Sequence, residues 1–323
     1  MIIILIIAIL ILSFVLIKSA DNVIMAIKRL SHNSRKGVFA ISAVILAIGT
    51  SLPEMFVGVT SALEGAPALS LGDVTGSNIA NISLVAGFAA LLAGRVRVQR
   101  GFLRRDVVSA LVAGVLPIIL MLDGSISRTE GLLLLVIYLG YASSFFRGRY
   151  GEIAKEHKRQ NGVYKLVRRL NHIDSRRRKE IMRFVGGLVV MLLSAFAIVK
   201  IAVALGTLMG VPSFLIGLLV IAVGTSLPEF AFSLRSIEDH EPTMFFGNLL
   251  GSTIANSTLV IGVVALIHPI TVVSTDKYFT AAAAFVIIFL TFWAFIRSKH
   301  RLDRWEAAIL VILYFLFVFV EIT

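Results

Sequence analysis

AIGTSLPE spans Ala47–Glu54, and AVGTSLPE spans Ala222–Glu229. Each copy drops a carboxylate just behind a proline within an otherwise apolar run, and an acid at membrane depth is costly enough to demand a use. Shifting the chain by 175 residues (47 to 222) aligns the copies without a gap from Ala47 through Gly87. The matches are polar residues and glycines: Pro67 with Pro242, Gly72 with Gly247, Gly76-Ser77 with Gly251-Ser252, and Ile79-Ala80-Asn81 with Ile254-Ala255-Asn256. Two apolar helices alike by accident would share leucines and valines instead. The chain is therefore read as an internal duplication.

Of the 323 residues, 58% are hydrophobic and 15% charged, and the mean hydropathy is +0.92. That composition belongs to a membrane protein. About 20 apolar residues cross the ~30 Å hydrocarbon core as a helix. Ten spans are predicted, at 2–27, 37–63, 68–94, 104–122, 129–146, 184–209, 212–237, 243–267, 277–297 and 304–321. The expected fold is an all-α membrane protein of ten transmembrane helices, lodged in the cell membrane. Residues 1–146 form one five-helix repeat, 147–183 a basic linker, and 184–323 the second repeat. The linker, at 37 residues the longest polar stretch, is too short for a soluble domain, so function belongs inside the bilayer. The opening run MIIILIIAILILSFVLIK lacks a basic start and a small-residue cleavage site, which favours a permanent first helix over a removable signal. The absence of cysteine excludes disulfides, thiolate metal sites and cysteine nucleophiles.

The net charge of +12 points to topology, not nucleic acid. Basic residues in short loops mark the cytoplasmic side, and they alternate along this chain. Lys28, Arg29, Arg35 and Lys36 follow the first span, and Arg95, Arg97, Arg100, Arg104 and Arg105 follow the third. The linker holds thirteen Lys or Arg against four Asp or Glu, and Arg297, Lys299, Arg301 and Arg304 precede the last span. The intervening connections are poor in basic residues, which puts both termini outside. One acidic connection, with Glu238, Asp239 and Glu241, falls inside against the trend. On this count the second span runs outward and its copy, the seventh, inward. The repeats are expected to be inverted, and inverted repeats place their substrate near the midplane where they meet.

Proline removes an amide donor, so the helix is expected to break near Ala47–Thr50 and near Ala222–Thr225, freeing carbonyls. Such backbone is tolerated at membrane depth only against protein, water or an ion. Glu54 lies four residues after Thr50, on one helical face, and Glu229 likewise follows Thr225. Asp73, Ser77 and Asn81 are spaced by four, as are Asn248, Ser252 and Asn256. Four faces rich in oxygen can thus converge. Two carboxylates, amides, hydroxyls and carbonyls suit a hard cation such as calcium, which takes about 6–8 oxygens. Zinc and copper are disfavoured for want of soft ligands. A single Ser or Thr in a membrane helix more often bonds to its own helix, but repetition beside an acid reverses that reading. Asp73 and Asn248 are weaker candidates, since one is charged and its copy is neutral. His157, His172 and His268 read as solvated or lipid-facing groups, and the linker charge as attracted to anionic lipid.

At these residues the sequence resembles the sodium/calcium exchanger family, of prokaryotic type, within the wider cation/calcium exchanger superfamily. GTSLPE twice, with GSNIAN and GSTIAN, is similar to the α-repeats of that family, and the five-plus-five plan covers nearly the whole chain. The resemblance implies an exchanger of calcium against sodium, usually three sodium ions per calcium, through one central cluster of four cation sites. It carries the metal ligands onto Glu54, Glu229, Thr50, Ser51, Ser77, Asn81, Thr225, Ser226, Ser252 and Asn256, with the carbonyls of Ala47 and Ala222. It also implies that the first and sixth spans slide across a rigid core. Some relatives, potassium-dependent ones included, carry Asp at the place of Asn256, so potassium dependence is not expected here. Thr253 replaces a usual Asn, and Gly72-Asp73 replaces a common Gly-Asn. The linker is too short for the calcium-sensing domains of animal exchangers.

The reading is therefore an electrogenic antiporter, not an enzyme, with calcium and sodium as transported ions, no cofactor and a functional monomer. A proton/calcium antiporter of the same fold is the alternative. An intramembrane protease, prompted by Asp73, lacks a second aligned Asp because Asn248 stands there, and no HExxH pair exists for a zinc protease. A channel fits closed, acid-paired inverted repeats poorly.

Overall fold

The computed structural model describes residues 2–32, 51–97, 100–157, 175–238, 242–273 and 275–323. Its helical runs are α1 (Ile2–His32), α2 (Leu52–Leu63), α3 (Pro67–Ala93), α4 (Arg100–Leu120), α5 (Arg128–His157), α6 (Ser175–Met209), α7 (Ser213–Glu238), α8 (Pro242–Ile254, continuing through Ala255–Val260 into Ile261–Ile267), α9 (Thr275–Lys299) and α10 (Arg304–Ile322). Among the described residues, eight helices are long and apolar enough to cross a membrane, and α2 is a shorter apolar helix. The first half of the predicted second span lies outside the described residues.

Three helices outrun their apolar windows. α1 continues to His32, α5 to His157, and α6 starts at Ser175 instead of 184. Hydropathy sets where the membrane ends, whereas Lys, Arg, Glu and Ala are good helix formers on either side of that boundary. Both ends of the predicted linker are accordingly helical.

α3 and α8 form the centre. Buried residues make up 72% of α3 and 78% of the Phe245–Ile267 window, against 28% for Ile2–Ser19. Both central helices are richer in Gly, Ser and Asn than the outer ones, so their polar groups face protein, not lipid. α3 meets the start of α7 backbone to backbone. A Cβ on Gly72 would collide with the Phe214 carbonyl, and one on Gly217 with the Leu69 carbonyl. α1 packs along α6 through Ile9, Leu16, Ala195, Ile198, Val199 and Ala202, which join Leu69, Ile216 and Ile221 in one apolar cluster. A second, larger cluster gathers α3, α4, α8, α9 and α10.

Two short antiparallel pairs join the halves. β1 (Arg95–Arg97) pairs with β4 (Arg301–Asp303), and β2 (Ser125–Ile126) pairs with β3 (Ile270–Thr271). Asp303 anchors the first pair. It accepts from Arg95 Nε and lies 3.1 Å from Arg301 Nε, and its own amide donates to Glu306 in a capping box that opens α10. Desolvation pushes the Asp303 carboxyl up, but Arg301 and then Arg95 outweigh it and hold it below the usual carboxylate range.

Candidate cation site

α2 and the last part of α7 both open on Leu-Pro-Glu. Pro53 sits in the first turn of α2, where a missing amide breaks no helical bond. Glu54 follows in the same turn, and Glu229 holds the matching place in Leu227–Glu238. Unpaired amides at a helix start favour a negative charge. The proline therefore both begins the helix and seats the acid. Glu54 and Glu229 are 0% exposed, and Glu54 is within electrostatic reach of Glu229 and Asp73. Neither Glu54 oxygen has a hydrogen-bond partner among the described residues. Ser252 Oγ donates to Glu229 Oε1 at 3.3 Å.

Ahead of Glu229, α7 is irregular. A π segment covers Gly217–Ile221, a single turn covers Ala222–Thr225, and at Ser226 ψ opens to −4°. The break expected at Ala222–Thr225 thus falls at its far edge. The expected free carbonyl at Ala222 is corrected: it accepts the Ser226 amide at 3.1 Å. A carbonyl has two lone pairs, however, and Ser77 Oγ at 3.5 Å and Thr225 Oγ1 at 3.4 Å approach this one too. Ser77 Oγ lies 3.1 Å from Thr225 Oγ1, and Thr225 donates to Asp73 Oδ1 at 2.8 Å. Asp73, Ser77, Ala222 and Thr225 therefore share one buried corner between α3 and α7.

The remaining candidates divide. Ser51 and Ser226, each just before a Leu-Pro-Glu, are buried with hydroxyls unpartnered among the described residues. Asn81 is 0% exposed and both its amide atoms are likewise unpartnered, as are those of Asn248. Asn256 donates to Asn78 Oδ1 at 3.5 Å, leaving its own Oδ1 without a partner among the described residues. Ala47 and Thr50 lie outside the described residues. Thr253, Ser83 and Thr258 bond back to Leu249, Ile79 and Ile254 in their own helices and take no part. His268 is exposed, as expected.

Sequence reasoning missed two features. Asn78 donates to Ser257 Oγ at 2.8 Å and so links α3 to α8; its copy is Thr253, and attention to matched positions passed over it. Second, π segments occupy Asn81–Val85 and Ala255–Val260, beginning at or beside the two duplicated asparagines. Such wide turns recur at functional sites. Among the described residues no three His, Cys, Asp or Glu side chains converge to hold one metal. What the fold collects is a pair of glutamates, with Asp73 and a set of neutral oxygens beside them, chemistry suited to hard cations.

A family model described as sodium/calcium exchanger protein matches residues 1–147 and 179–323. The sodium/calcium exchanger MaX1 of Methanosarcina acetivorans is 26% identical over 94% of this chain and 95% of its own. The inner membrane protein YrbG of Escherichia coli is 30% identical over 78% of this chain and 76% of its own. Among solved structures, the sodium-calcium exchanger NCX_Mj soaked with 100 mM Na+ and 10 mM Sr2+ superposes with a TM-score of 0.64 at 24% identity, over 98% of both chains. With eight apolar spans among the described residues, these findings make the chain a multi-pass integral membrane protein.

Proposed function

The chain belongs to the sodium/calcium exchanger protein family, and from that premise we propose that it is a secondary antiporter exchanging sodium for calcium by alternating access. One observation carries the reading: Glu54 and Glu229, from the two copies of one motif, lie fully buried within electrostatic reach of each other, and Glu54 has no hydrogen-bond partner among the described residues. The two buried glutamates, with Asp73 near them, need positive charge beside them, and a divalent ion such as calcium supplies it. Hydroxyls and carbonyls, with those of Ser77, Thr225 and Ala222 foremost, complete its shell. Sodium ions spread over the same oxygens and displace calcium, so competition for one carboxylate pair is the coupling. Asn81, Asn256, Ser51, Ser226 and Ser252, with Ala47 and Thr50, belong to the same ligand set.

The cycle is electrogenic and independent of potassium, because Asn256 brings no charge to the deep side. The chain works as a monomer, without a cofactor. It crosses the membrane ten times with both termini outside. Inversion of the repeats is supported by the strand pairs: a shift of 175 carries β1 onto β3 and β2 onto β4, while α4, a candidate span, separates β1 from β2. Equivalent connections then lie at opposite ends of α4. α1 and α6, packed together and held to the rest by apolar side chains and by the 2.6 Å ion pair of Lys200 with Glu64, form the part that slides.

The test is calcium uptake into proteoliposomes with sodium, potassium and proton gradients imposed in turn. Internal sodium is expected to drive uptake, potassium to add nothing, and an inside-positive potential to speed it, because the cycle exports net positive charge. Uptake driven by a pH gradient and indifferent to sodium overturns the reading.

A further inference from the structure

Of the paired site positions, only Asp73 and its copy Asn248 differ in charge. The Asp73 carboxylate is fully buried on α3, its Oδ1 accepts the Thr225 hydroxyl at 2.8 Å, and its Oδ2 is unpartnered among the described residues. A threonine hydroxyl has one proton and two lone pairs. The other acceptors in reach are Ser77 Oγ at 3.1 Å and carbonyls of its own helix, Ile221 at 3.3 Å and Ala222 at 3.4 Å, and the Glu54 carboxylate also interacts with this side chain. A proton turned to Ala222 would stand between two oxygens that a cation needs. Turned to Asp73, it leaves the Thr225–Ala222 approach open, and the shorter, charge-assisted bond favours that direction. The Ser77 hydroxyl then donates to Thr225 at 3.1 Å, which leaves one Thr225 lone pair and, beside the Ser226 amide, one on the Ala222 carbonyl for an ion.

Resting on the exchange proposed above, we infer that Asp73 is a positioning residue for sodium: by taking the Thr225 proton it turns the Thr225–Ser77–Ala222 corner into a monovalent-cation site. Neutral oxygens suit a single charge. Calcium draws most of its hold from the Glu54–Glu229 pair and depends little on how one hydroxyl points.

The experiment measures sodium and calcium half-saturation of exchange in proteoliposomes for the wild type, Asp73→Asn, Thr225→Val and the double variant. Asp73→Asn keeps the shape and a neutral acceptor. It also removes a charge within electrostatic reach of Glu54, so both constants are expected to rise in that variant. Thr225→Val keeps the charge and is expected to raise sodium half-saturation with calcium half-saturation unchanged. Because Asp73 acts on sodium through that hydroxyl, Asp73→Asn is expected to raise sodium half-saturation about fivefold less in the Thr225→Val background than in the wild type, the equivalent of the ~1 kcal/mol by which a charged acceptor outdoes a neutral one, while its effect on calcium is the same in both backgrounds. Equal effects of Asp73→Asn on sodium in both backgrounds, or a calcium constant that rises in Thr225→Val, overturns the inference and leaves sodium-driven exchange standing. Wild-type flux that ignores sodium overturns the exchange and this inference with it.

Discussion

Glu54→Gln removes one charge and almost no volume from the centre of the molecule. A unit charge pair ~4 Å apart at an effective dielectric of ~20 is worth about 4 kcal/mol, so a divalent ion loses about 8. The repulsion between Glu54 and Glu229 acts with and without the ion, so it cancels from binding and bears on the ion-free fold alone. The lost ~8 kcal/mol raises the calcium dissociation constant about a millionfold. In the wild type, calcium at ~100 times its dissociation constant stabilises the fold by about 2.7 kcal/mol; the same concentration gives the variant less than ~0.1. Thermal unfolding of purified protein with and without calcium reads this directly, beside calcium flux in proteoliposomes. The expected result is an ion-free variant at least as stable as the wild type, because a buried like-charge contact is gone, with no calcium-induced shift and no exchange. A calcium-induced shift of wild-type size, or full flux, refutes the placement of the ion between the two glutamates.

Other perturbations probe the frame. Gly72→Ala forces a Cβ into the Phe214 carbonyl and is expected to lower stability by about 1–3 kcal/mol and to cut exchange; Gly65→Ala, at φ +72° with open space around it, costs only the ~1 kcal/mol of left-handed backbone and spares exchange. Asn78→Ala leaves Ser257 and Asn256 without their cross-helix partner, and chemical denaturation should show a loss of about 1–3 kcal/mol. Asp303 is held below the usual carboxylate range by Arg301 and Arg95, so its stabilisation is present above its unfolded value and fades as pH falls through the lower folded one. The gap in unfolding midpoint between wild type and Asp303→Asn should therefore close on acidification; a gap that widens refutes the pairing.

The duplicated GTSLPE, the two acids and the helix positions could be read from the chain because each leaves a mark in one dimension: repetition, charge in an apolar run, or hydropathy. The corner at Ala222 left none. Whether its carbonyl is spent depends on how far the helix unwinds after Thr225, where the Ser226 amide still reaches back to it, a choice of hydrogen-bond register that composition does not record. Asn78 escaped for the opposite reason. Its role is to bridge unlike positions, Ser257 and Asn256, so a search for likeness discards it. The outer helices were drawn too short because lipid contact and helix formation end at different residues.

The strand pairs β1–β4 and β2–β3 act as two clasps, one fastening each rim. Each stitches a connection of the first half to one of the second. The halves of this molecule therefore cannot rock apart like the shells of a clam without tearing a clasp. Neither clasp is built from a connection to α1 or α6, the unstitched pair to which the proposed sliding is assigned.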